Sequence, residues 1–309
     1  MSFSYDVKEE MAKHMNGARH CQIAELSAIV GLCGSLKRTS EGKDALVVTL
    51  DRESLFRKCF TLLKKTYNID EVSVNEGGKN GRYEIVITDN DTVWDIFKGL
   101  KLVDRELGFV GFGHTVDPTL IKNSCCRRAY LRGVFLCVGS MSDPSKGYHL
   151  EMVCEKEEQA QQIAQILTTF DIEAKTICRK KYFVVYIKEG SAIVDFLGIC
   201  DAHVSLMDFE NLRILKEMSN SINRKVNCET ANIAKTVRAA NRQVEDILLI
   251  QKVYGFGKLA DSLRQMAEVR LEYPDATLQE LGELLDPPVG KSGVNHRLRK
   301  LSELANELR

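Results

Sequence analysis

The fold follows from a stretch that occurs twice, LSAIVGLCGS at residues 26–35 and LRGVFLCVGS at residues 131–140. Both copies are largely apolar and end in Gly-Ser. Small side chains recur in each at helical spacing: Ser27, Ala28 and Gly31 in the first copy, Gly133 and Cys137 in the second. Because small residues let two helix axes approach closely, we expect the copies to form two helices packed against each other in the core.

The segments after the two copies also correspond. Each copy precedes a strand-like run, an amphipathic helical pattern, two more strand-like runs and a short closing helix. These are residues 45–50, 54–67, 71–74, 83–87 and 93–97, with a glycine-rich turn at 77–81, and then 148–153, 157–170, 174–177, 182–187 and 193–197. The shared order predicts a duplicated α+β unit, and residues 108–114 are interpreted as a flexible connection between its halves.

Composition limits the class of protein. The 309 residues favour about two domains, and 44% hydrophobic residues suffice for a packed core. Lys+Arg and Asp+Glu both number 43, so any basic surface must be local. The N-terminal segment lacks the apolar region of a signal peptide, and no apolar run is long enough to span a membrane, so we expect a soluble cytoplasmic chain. The ten cysteines form no C-x-x-C pair, which favours reduced thiols over disulfides or zinc; we expect no metal and no cofactor.

Basic residues concentrate in two places. Residues 206–223 read as a helix, and the stretch 211–244 carries seven basic and two acidic residues mixed with Asn and Gln. Such side chains donate to phosphate oxygens, although a solvated helix face is the alternative. A second cluster of basic residues lies just before and at the start of the second repeated segment, and it includes Arg132. The predicted phosphate contacts are Lys122, Arg127, Arg128, Arg224, Lys225, Lys235, Arg238 and Arg242.

The last fifty residues have the pattern of a helix-turn-helix. An amphipathic helix over 258–273 precedes a short helix capped by Asp275 or Thr277, with Leu278, Leu281, Leu284 and Leu285 as its apolar face. A Pro- and Gly-containing break at 286–290 then leads to a final helix that is basic at its start. In a helix-turn-helix the second helix enters the major groove, whereas a plain helical hairpin would only expose a basic face. The predicted DNA-binding residues are Thr277, Lys291, Ser292, Asn295, His296, Arg297, Arg299 and Lys300.

The two repeated segments resemble the LAGLIDADG helices of homing endonucleases. In those nucleases, the acid before the final glycine of each motif binds the catalytic divalent cation. The corresponding residues here are Cys33 and Val138, which offer no hard oxygen ligand for Mg²⁺. The sequence therefore predicts a degenerate site without nuclease activity; a residual metal-dependent endonuclease is the less favoured alternative.

The whole chain resembles the bacterial WhiA family. The resemblance rests on residues 3–10, on CRRAYLRG at 126–133, on 227–232 and on the segment 287–301, in which KSGVNHRL at 291–298 is the most specific element. It implies an α+β fold, a duplicated αββαββα LAGLIDADG-like domain followed by an all-α helix-turn-helix domain. The expected boundaries are 1–204 (halves about 1–105 and 119–204), a helical connector at 205–224, and 225–309.

The resemblance also implies a function. It points to a sequence-specific DNA-binding transcriptional regulator, not an enzyme, tied to cell division, chromosome segregation or sporulation. The expected partner is double-stranded DNA, with RNA polymerase or another transcription factor as a further candidate, and the expected location is the cytoplasm, at the nucleoid. The alternative is an N-terminal domain that senses a small molecule or binds a partner. A monomer is the default expectation.

Overall fold

The structure is a computed structural model that describes residues 2–38, 44–69, 73–75, 81–104, 108–113 and 115–309. The chain divides into two compact units, Met1–Glu217 and Met218–Arg309. The predicted strand at 71–74 is described only from Ser73, and the predicted turn at 77–81 lies outside the described residues except for Gly81. In the described part of the chain, no helix has both the length and the apolar character needed to cross a membrane.

The first unit contains two halves with the same order of elements. The first half runs α1 (Phe3–Lys13), α2 (Arg19–Cys33), β1 (Gly34–Arg38), β2 (Asp44–Leu50), α3 (Glu53–Tyr67), β3 (Ser73–Asn75), β4 (Tyr83–Ile87) and α4 (Asn90–Gly99). A two-stranded hairpin, β5 (Val103–Asp104) and β6 (Gly108–Phe109), follows. The second half runs α5 (Ser124–Val138), β7 (Gly139–Met141), β8 (Leu150–Cys154), α6 (Glu157–Thr168), β9 (Lys175–Arg179), β10 (Tyr182–Ile187) and α7 (Gly190–Ile199). From α2 and from α5 onward this is αββαββα twice, which confirms the predicted fold class.

Each half builds one antiparallel sheet of four strands. The strand orders are β1-β2-β4-β3 and β7-β8-β10-β9, so the two sheets share one topology. The first residue pairs of the two β-ladders correspond: Gly34 lies opposite Val48, and Gly139 lies opposite Met152. One face of each sheet packs against the amphipathic helices: α3 buries Leu55, Cys59, Leu62 and Leu63 on a single stripe. The apolar helix faces, with a period of 3.6 residues, and the apolar strand faces, with a period of 2, thus pack together in one core.

The motif helices α2 and α5 pack against each other as predicted. A Cβ added to Gly133 would lie 2.7 Å from the carbonyl oxygen of Glu25 and 2.8 Å from the Cβ of Ala28, so only glycine permits this approach. Gly31 does not share this role, since no described atom lies within 4 Å of its added Cβ. Of these two glycines, only Gly133 lies where a side chain would obstruct the packing of the two helices.

A buried group of charges joins α2, α3 and α5. The carboxylate of Glu25 accepts from Arg132 Nε at 2.9 Å and from Arg132 Nη2 at 3.0 Å, and Lys58 Nζ lies 2.9 Å from it. Arg132 also donates to Asp201 at 2.5 Å. The grouping of Arg132 with the exposed basic cluster is therefore wrong, because its guanidinium is fully buried and satisfied by carboxylates inside the protein.

The described part of the connection between the halves, residues 108–113, packs against the first half. The rings of Phe109 and Phe112 lie 4.6 and 6.0 Å from that of Phe97, and Gly113 N donates to Gly31 O at 2.9 Å. This aromatic group covers the end of α2 beside Gly34. The interpretation failed because glycine content alone does not separate a mobile linker from one held by neighbouring aromatic side chains.

Four helices make up the second unit together with a short 3₁₀ turn. They are α8 (His203–Val253), which begins in the first unit, α9 (Asp261–Glu272), α10 (Leu278–Glu283) and α11 (Lys291–Glu307), with the 3₁₀ turn at Phe256–Lys258. The helix predicted over 206–223 is thus much longer, and the one predicted over 258–273 starts three residues later. The core of this unit contains Ile247, Ile250, Met266, Ala267, Leu281, Leu285, Val294, Leu298, Leu301 and Ala305. Leu284, predicted to be buried, is instead 46% exposed.

Candidate nucleic-acid interface

Helices α10 and α11 form a tight helix-turn-helix. Thr277 starts α10 with a reciprocal capping box: its hydroxyl accepts from Glu280 N at 3.3 Å, and the Glu280 carboxylate accepts from Thr277 N at 2.7 Å. Hydrogen bonding of the carboxylate, first to the Thr277 backbone and then to its side chain, lowers the pKa of Glu280 from its usual value. After the turn, Val289 N donates to Gly282 O at 2.9 Å, and any Cβ on Gly282 would clash with the Val289 carbonyl. The close approach of the chain at Gly282 fixes where α11 begins.

The N-terminal half of α11 exposes a polar face. Val294, Leu298, Leu301 and Ala305 are buried as one stripe. On the remaining surface the structure exposes six of the predicted side chains, namely Lys291, Ser292, Asn295, His296, Arg299 and Lys300. Their donors and acceptors thus face solvent at the end of the helix that a helix-turn-helix presents to base edges.

Three of the predicted residues have contacts within the unit. Arg299 Nε lies 2.9 Å from a carboxylate oxygen of Glu303, one turn further along the helix. Arg297 is half-buried and donates to Ser262 O at 3.5 Å. Thr277 is exposed but holds the capping box of α10. Arg297 and Thr277 therefore also have structural roles in this unit.

A second basic surface lies along α8. Arg224, Lys225, Lys235, Arg238 and Arg242 are all exposed. At about 100° per residue, Arg224, Lys235, Arg238 and Arg242 fall within about 60° of one another around the helix axis. We call these four residues the basic stripe. Their spacing aligns four cations along one side of the helix, as contact with a phosphate backbone requires.

The basic residues before α5 have different surroundings. Lys122 and Arg128 are exposed, and Arg127 is half-buried. The guanidinium groups of Arg127 and Arg128 both lie 5.8 Å from the ring centre of Phe170. The β9–β10 hairpin adds the exposed cations Lys175, Arg179, Lys180 and Lys181, which were not among the predicted phosphate contacts. Their close spacing in the sequence was the available signal.

The two residues that the sequence predicts as former catalytic positions lie at matching helix ends. Cys33 and Val138 are the last residues of α2 and α5, and the glycines that follow have nearly identical backbone angles, φ −82° and ψ 152° against φ −81° and ψ 153°. A hydrogen bond with Cys137 lowers the pKa of the Cys33 thiol. Within the described residues, no group of three or more His, Cys, Asp or Glu side chains gathers at these ends. Neither position offers an oxygen ligand for Mg²⁺.

A different group with metal-ligand chemistry lies at the other ends of these helices. Its members are His20, Cys21, Cys125 and Cys126, whose ligand atoms all lie within 4.8 Å of one another. Sequence reasoning missed it because no C-x-x-C spacing marks it. The available signal was the repeat itself, since His20-Cys21 and Cys125-Cys126 are separated by the same 105 residues as the motif helices.

Comparison with known proteins decides the family. Three family models match in succession: the WhiA N-terminal LAGLIDADG-like domain over 19–103, the WhiA LAGLIDADG-like domain over 127–219, and the WhiA C-terminal HTH domain over 222–305. A protein of Lachnoclostridium phytofermentans named "Probable cell division protein WhiA" is 50% identical over 314 residues, with all of both chains covered. The chain belongs to the WhiA family.

Further relatives agree with this assignment. A probable cell division protein WhiA of Lachnospira eligens is 47% identical and covers 100% of this chain and 98% of its own length. The crystal structure of full-length WhiA from Thermatoga maritima superposes with a TM-score of 0.58 at 25% identity, covering 99% of each chain. The predicted WhiA family and fold class are both confirmed, and α10 and α11 lie inside the WhiA helix-turn-helix match.

Proposed function

We propose that this protein is a sequence-specific DNA-binding regulator whose reader is α11. The observation that carries the proposal is the exposed polar face of α11, with Asn295 and Arg299 one turn apart beside a fully buried apolar stripe. Asn pairs bidentately with adenine and Arg with guanine in the major groove. The capping box at Thr277 and the close approach at Gly282 support a rigid presentation of that face.

The basic stripe supplies phosphate contacts in this proposal. Its four exposed cations and Lys225 belong to the same unit as α11, so charge attraction and base reading are carried by one structural unit. Lys122, Arg127 and Arg128 are proposed as further phosphate contacts of the first unit. Phosphate contacts bring affinity and position on the duplex, while base contacts bring sequence preference.

The LAGLIDADG-like unit acts here without catalysis. Phosphodiester hydrolysis by this fold needs carboxylates on both motif helices, and a thiol at Cys33 and an isopropyl group at Val138 cannot replace them. We infer a cytoplasmic, nucleoid-associated protein that regulates transcription. The names of its relatives favour a role in cell division; chromosome segregation and sporulation follow from the family resemblance alone. RNA polymerase or another transcription factor is the proposed protein partner, and a monomer is the proposed state.

A binding selection tests this function. The full chain is mixed with random duplex DNA at fixed salt, and bound sequences are enriched over several rounds. We expect one motif to emerge with the wild type and to be lost with Asn295→Ala combined with Arg299→Ala. No enrichment by the wild type would contradict the proposal, and Mg²⁺-dependent cutting of the enriched DNA would contradict the absence of nuclease activity.

A cavity favours a second candidate function, sensing of an anionic small molecule. The first unit holds a cavity of about 710 Å³, whose charged lining residues are the cations Lys13, Arg52, Arg57 and Lys58 and the acids Glu9, Asp51 and Glu53. Nε and Nη1 of Arg52 are buried and have no hydrogen-bond partner among the described residues. The Arg52 guanidinium lies 5.0 Å from the ring centre of Tyr5, and its Nε lies 3.7 Å from a carboxylate oxygen of Asp51. Buried N–H groups without a hydrogen bond are nevertheless costly, and a carboxylate or phosphate ligand would satisfy them. Thermal-shift screening of such anions, repeated with Arg52→Gln, tests this candidate; a shift that survives the substitution would contradict it.

A further inference from the structure

Four side chains with soft-metal chemistry lie together at equivalent positions of the two motif helices. His20 and Cys21 occupy the second and third positions of α2, and Cys125 and Cys126 occupy the same positions of α5. His20 Nδ1 lies 3.1 Å from Cys126 Sγ and 3.4 Å from Cys21 Sγ. The duplication therefore brings together two pairs of ligands that are far apart in the sequence.

The spacing of the four ligand atoms is compatible with one metal ion. With Zn–S bonds of about 2.3 Å and a Zn–N bond of about 2.0–2.1 Å, ligand atoms stand roughly 3.5–3.8 Å apart. The observed atoms all lie within 4.8 Å of one another, so small rotations of the thiol side chains would complete the tetrahedron. The set is three sulfurs and one imidazole with no carboxylate, which selects zinc over magnesium or calcium.

The surroundings suit a structural metal. Cys21 and Cys126 are buried together with Ala24 and Ala129 in a small cluster of their own, while His20 and Cys125 are exposed and leave a path for entry. Burial raises the pKa of the Cys21 thiol to about 12 and also raises the pKa of Cys126, so a bound metal must displace their protons. All four ligand positions come from the protein, as in closed structural sites, so no position is left for a substrate.

We propose that His20, Cys21, Cys125 and Cys126 bind one Zn²⁺ ion that joins the N-terminal ends of α2 and α5. Binding displaces the three thiol protons to solvent and forms three Zn–S bonds and one Zn–N bond. The twelve residues from Cys21 to Cys33 place this centre about 18 Å along α2 from the former catalytic position. The centre is thus distinct from the nuclease site. It would link the N-terminal ends of the two motif helices, at a place separate from their contact at Gly133.

Metal analysis of the full chain tests the proposal. The reduced protein is loaded with Zn²⁺ and separated from free metal by gel filtration. Its zinc content is then measured by inductively coupled plasma mass spectrometry. Two variants alter exposed ligands, Cys125→Ser and His20→Gln, so that the core is left intact. The matched control is Cys178→Ser with Cys228→Ser, which removes two other exposed thiols.

We expect one zinc per chain in the wild type and the control, and loss of zinc from both ligand variants. In a parallel loading with Co²⁺, the wild type should show thiolate-to-cobalt charge-transfer absorption that weakens in Cys125→Ser. Zinc should also raise the melting temperature of the wild type but not that of either ligand variant. Equal zinc in the wild type and ligand variants, or none in the wild type, would overturn the proposal. A Cys21–Cys126 disulfide in the metal-free protein would also overturn the proposal. It would be recognised by an intact mass lower by two hydrogens and by a cross-linked peptide that contains both cysteines.

Discussion

Arg132 carries a positive charge into the interior of the first unit. Burial lowers its pKa, but the hydrogen bonds and charge of Glu25 outweigh that effect, so the pKa of Arg132 lies above its usual value. The side chain stays charged and holds α2 and α5 to the turn before α8 through Asp201. Sequence reasoning could not see this, because a basic residue amid other basic residues looks the same whether it faces solvent or a buried carboxylate.

Replacing Arg132 by methionine should destabilise the first unit. Arg132→Met removes the partner of Glu25 Oε2 and leaves Asp201 only its longer contacts with His14 and His203. Breaking a buried pair in this way costs about 3–5 kcal/mol. Trp94, the single tryptophan, lies in α4 and reports on this unit by fluorescence during urea unfolding. The control is Arg128→Met, an exposed neighbour that should change stability by less than about 0.5 kcal/mol. Similar losses in both variants would mean that the buried pairs contribute nothing specific.

Asn295 should determine preference for DNA sequence rather than affinity for DNA in general. Asn295→Ala removes a bidentate base contact and should weaken binding to the preferred duplex by about 1–3 kcal/mol, with little change on random DNA. Anisotropy titrations of both duplexes at one salt concentration measure the difference. Asn306→Ala, at the far end of the same helix, should leave both affinities unchanged. Equal losses on both duplexes would identify a phosphate contact instead.

At the level of elements, two glycines of the motif helices should respond in opposite directions. Gly133→Ala forces a methyl group against the Glu25 carbonyl and Ala28, and such overpacking costs about 1–3 kcal/mol. Gly31→Ala meets no described atom within 4 Å and gains the helix propensity of alanine, about 1 kcal/mol. Unfolding followed by Trp94 fluorescence compares the two variants. A stabilising Gly133→Ala would contradict the close approach of α2 and α5.

Elements that bury one face could be read from the sequence, and elements without such a face could not. The strand β10 was predicted at its observed bounds and α3 to within one residue, because Leu55, Cys59, Leu62 and Leu63 keep helical spacing. The length of α8 was missed because residues 218–233 are exposed all round and show no single buried stripe. A signal was nevertheless present: no glycine or proline occurs between Gly198 and Gly255. The absence of helix-breaking residues would have indicated the length of that helix better than periodicity did.

Sites formed within one segment were also easier to predict than sites formed between segments. The exposed face of α11 follows from one apolar stripe, so Asn295 and Arg299 could be placed without a structure. The group of His20, Cys21, Cys125 and Cys126 depends on how two helices pair, which local spacing does not encode. A duplicated fold gives one route to such sites: equivalent positions near its axis become neighbours.

At the scale of the whole molecule, the position of charge matters more than its sum. The chain carries 43 basic and 43 acidic residues, so net charge alone provides no attraction to DNA. The basic stripe concentrates cations along one side of α8, and α11 adds Lys291, Arg299 and Lys300 in the same unit. Affinity should therefore depend on salt through these local contacts, despite a formal net charge of zero.

Removing part of the basic stripe should lower the salt dependence of binding without changing sequence preference. Each phosphate contact contributes about 0.9 to the slope of log K against log salt, so replacing Lys235, Arg238 and Arg242 by glutamine should reduce the slope by about 2.7. The control replaces Lys64, Lys65 and Lys98 by glutamine, which removes the same three charges from exposed positions of the first unit. Titrations of the preferred duplex over a range of salt should show the smaller slope only in the first triple variant, with the ratio of preferred to random binding unchanged. Equal slopes in the two triple variants would mean that total charge, not contact along α8, governs the attraction.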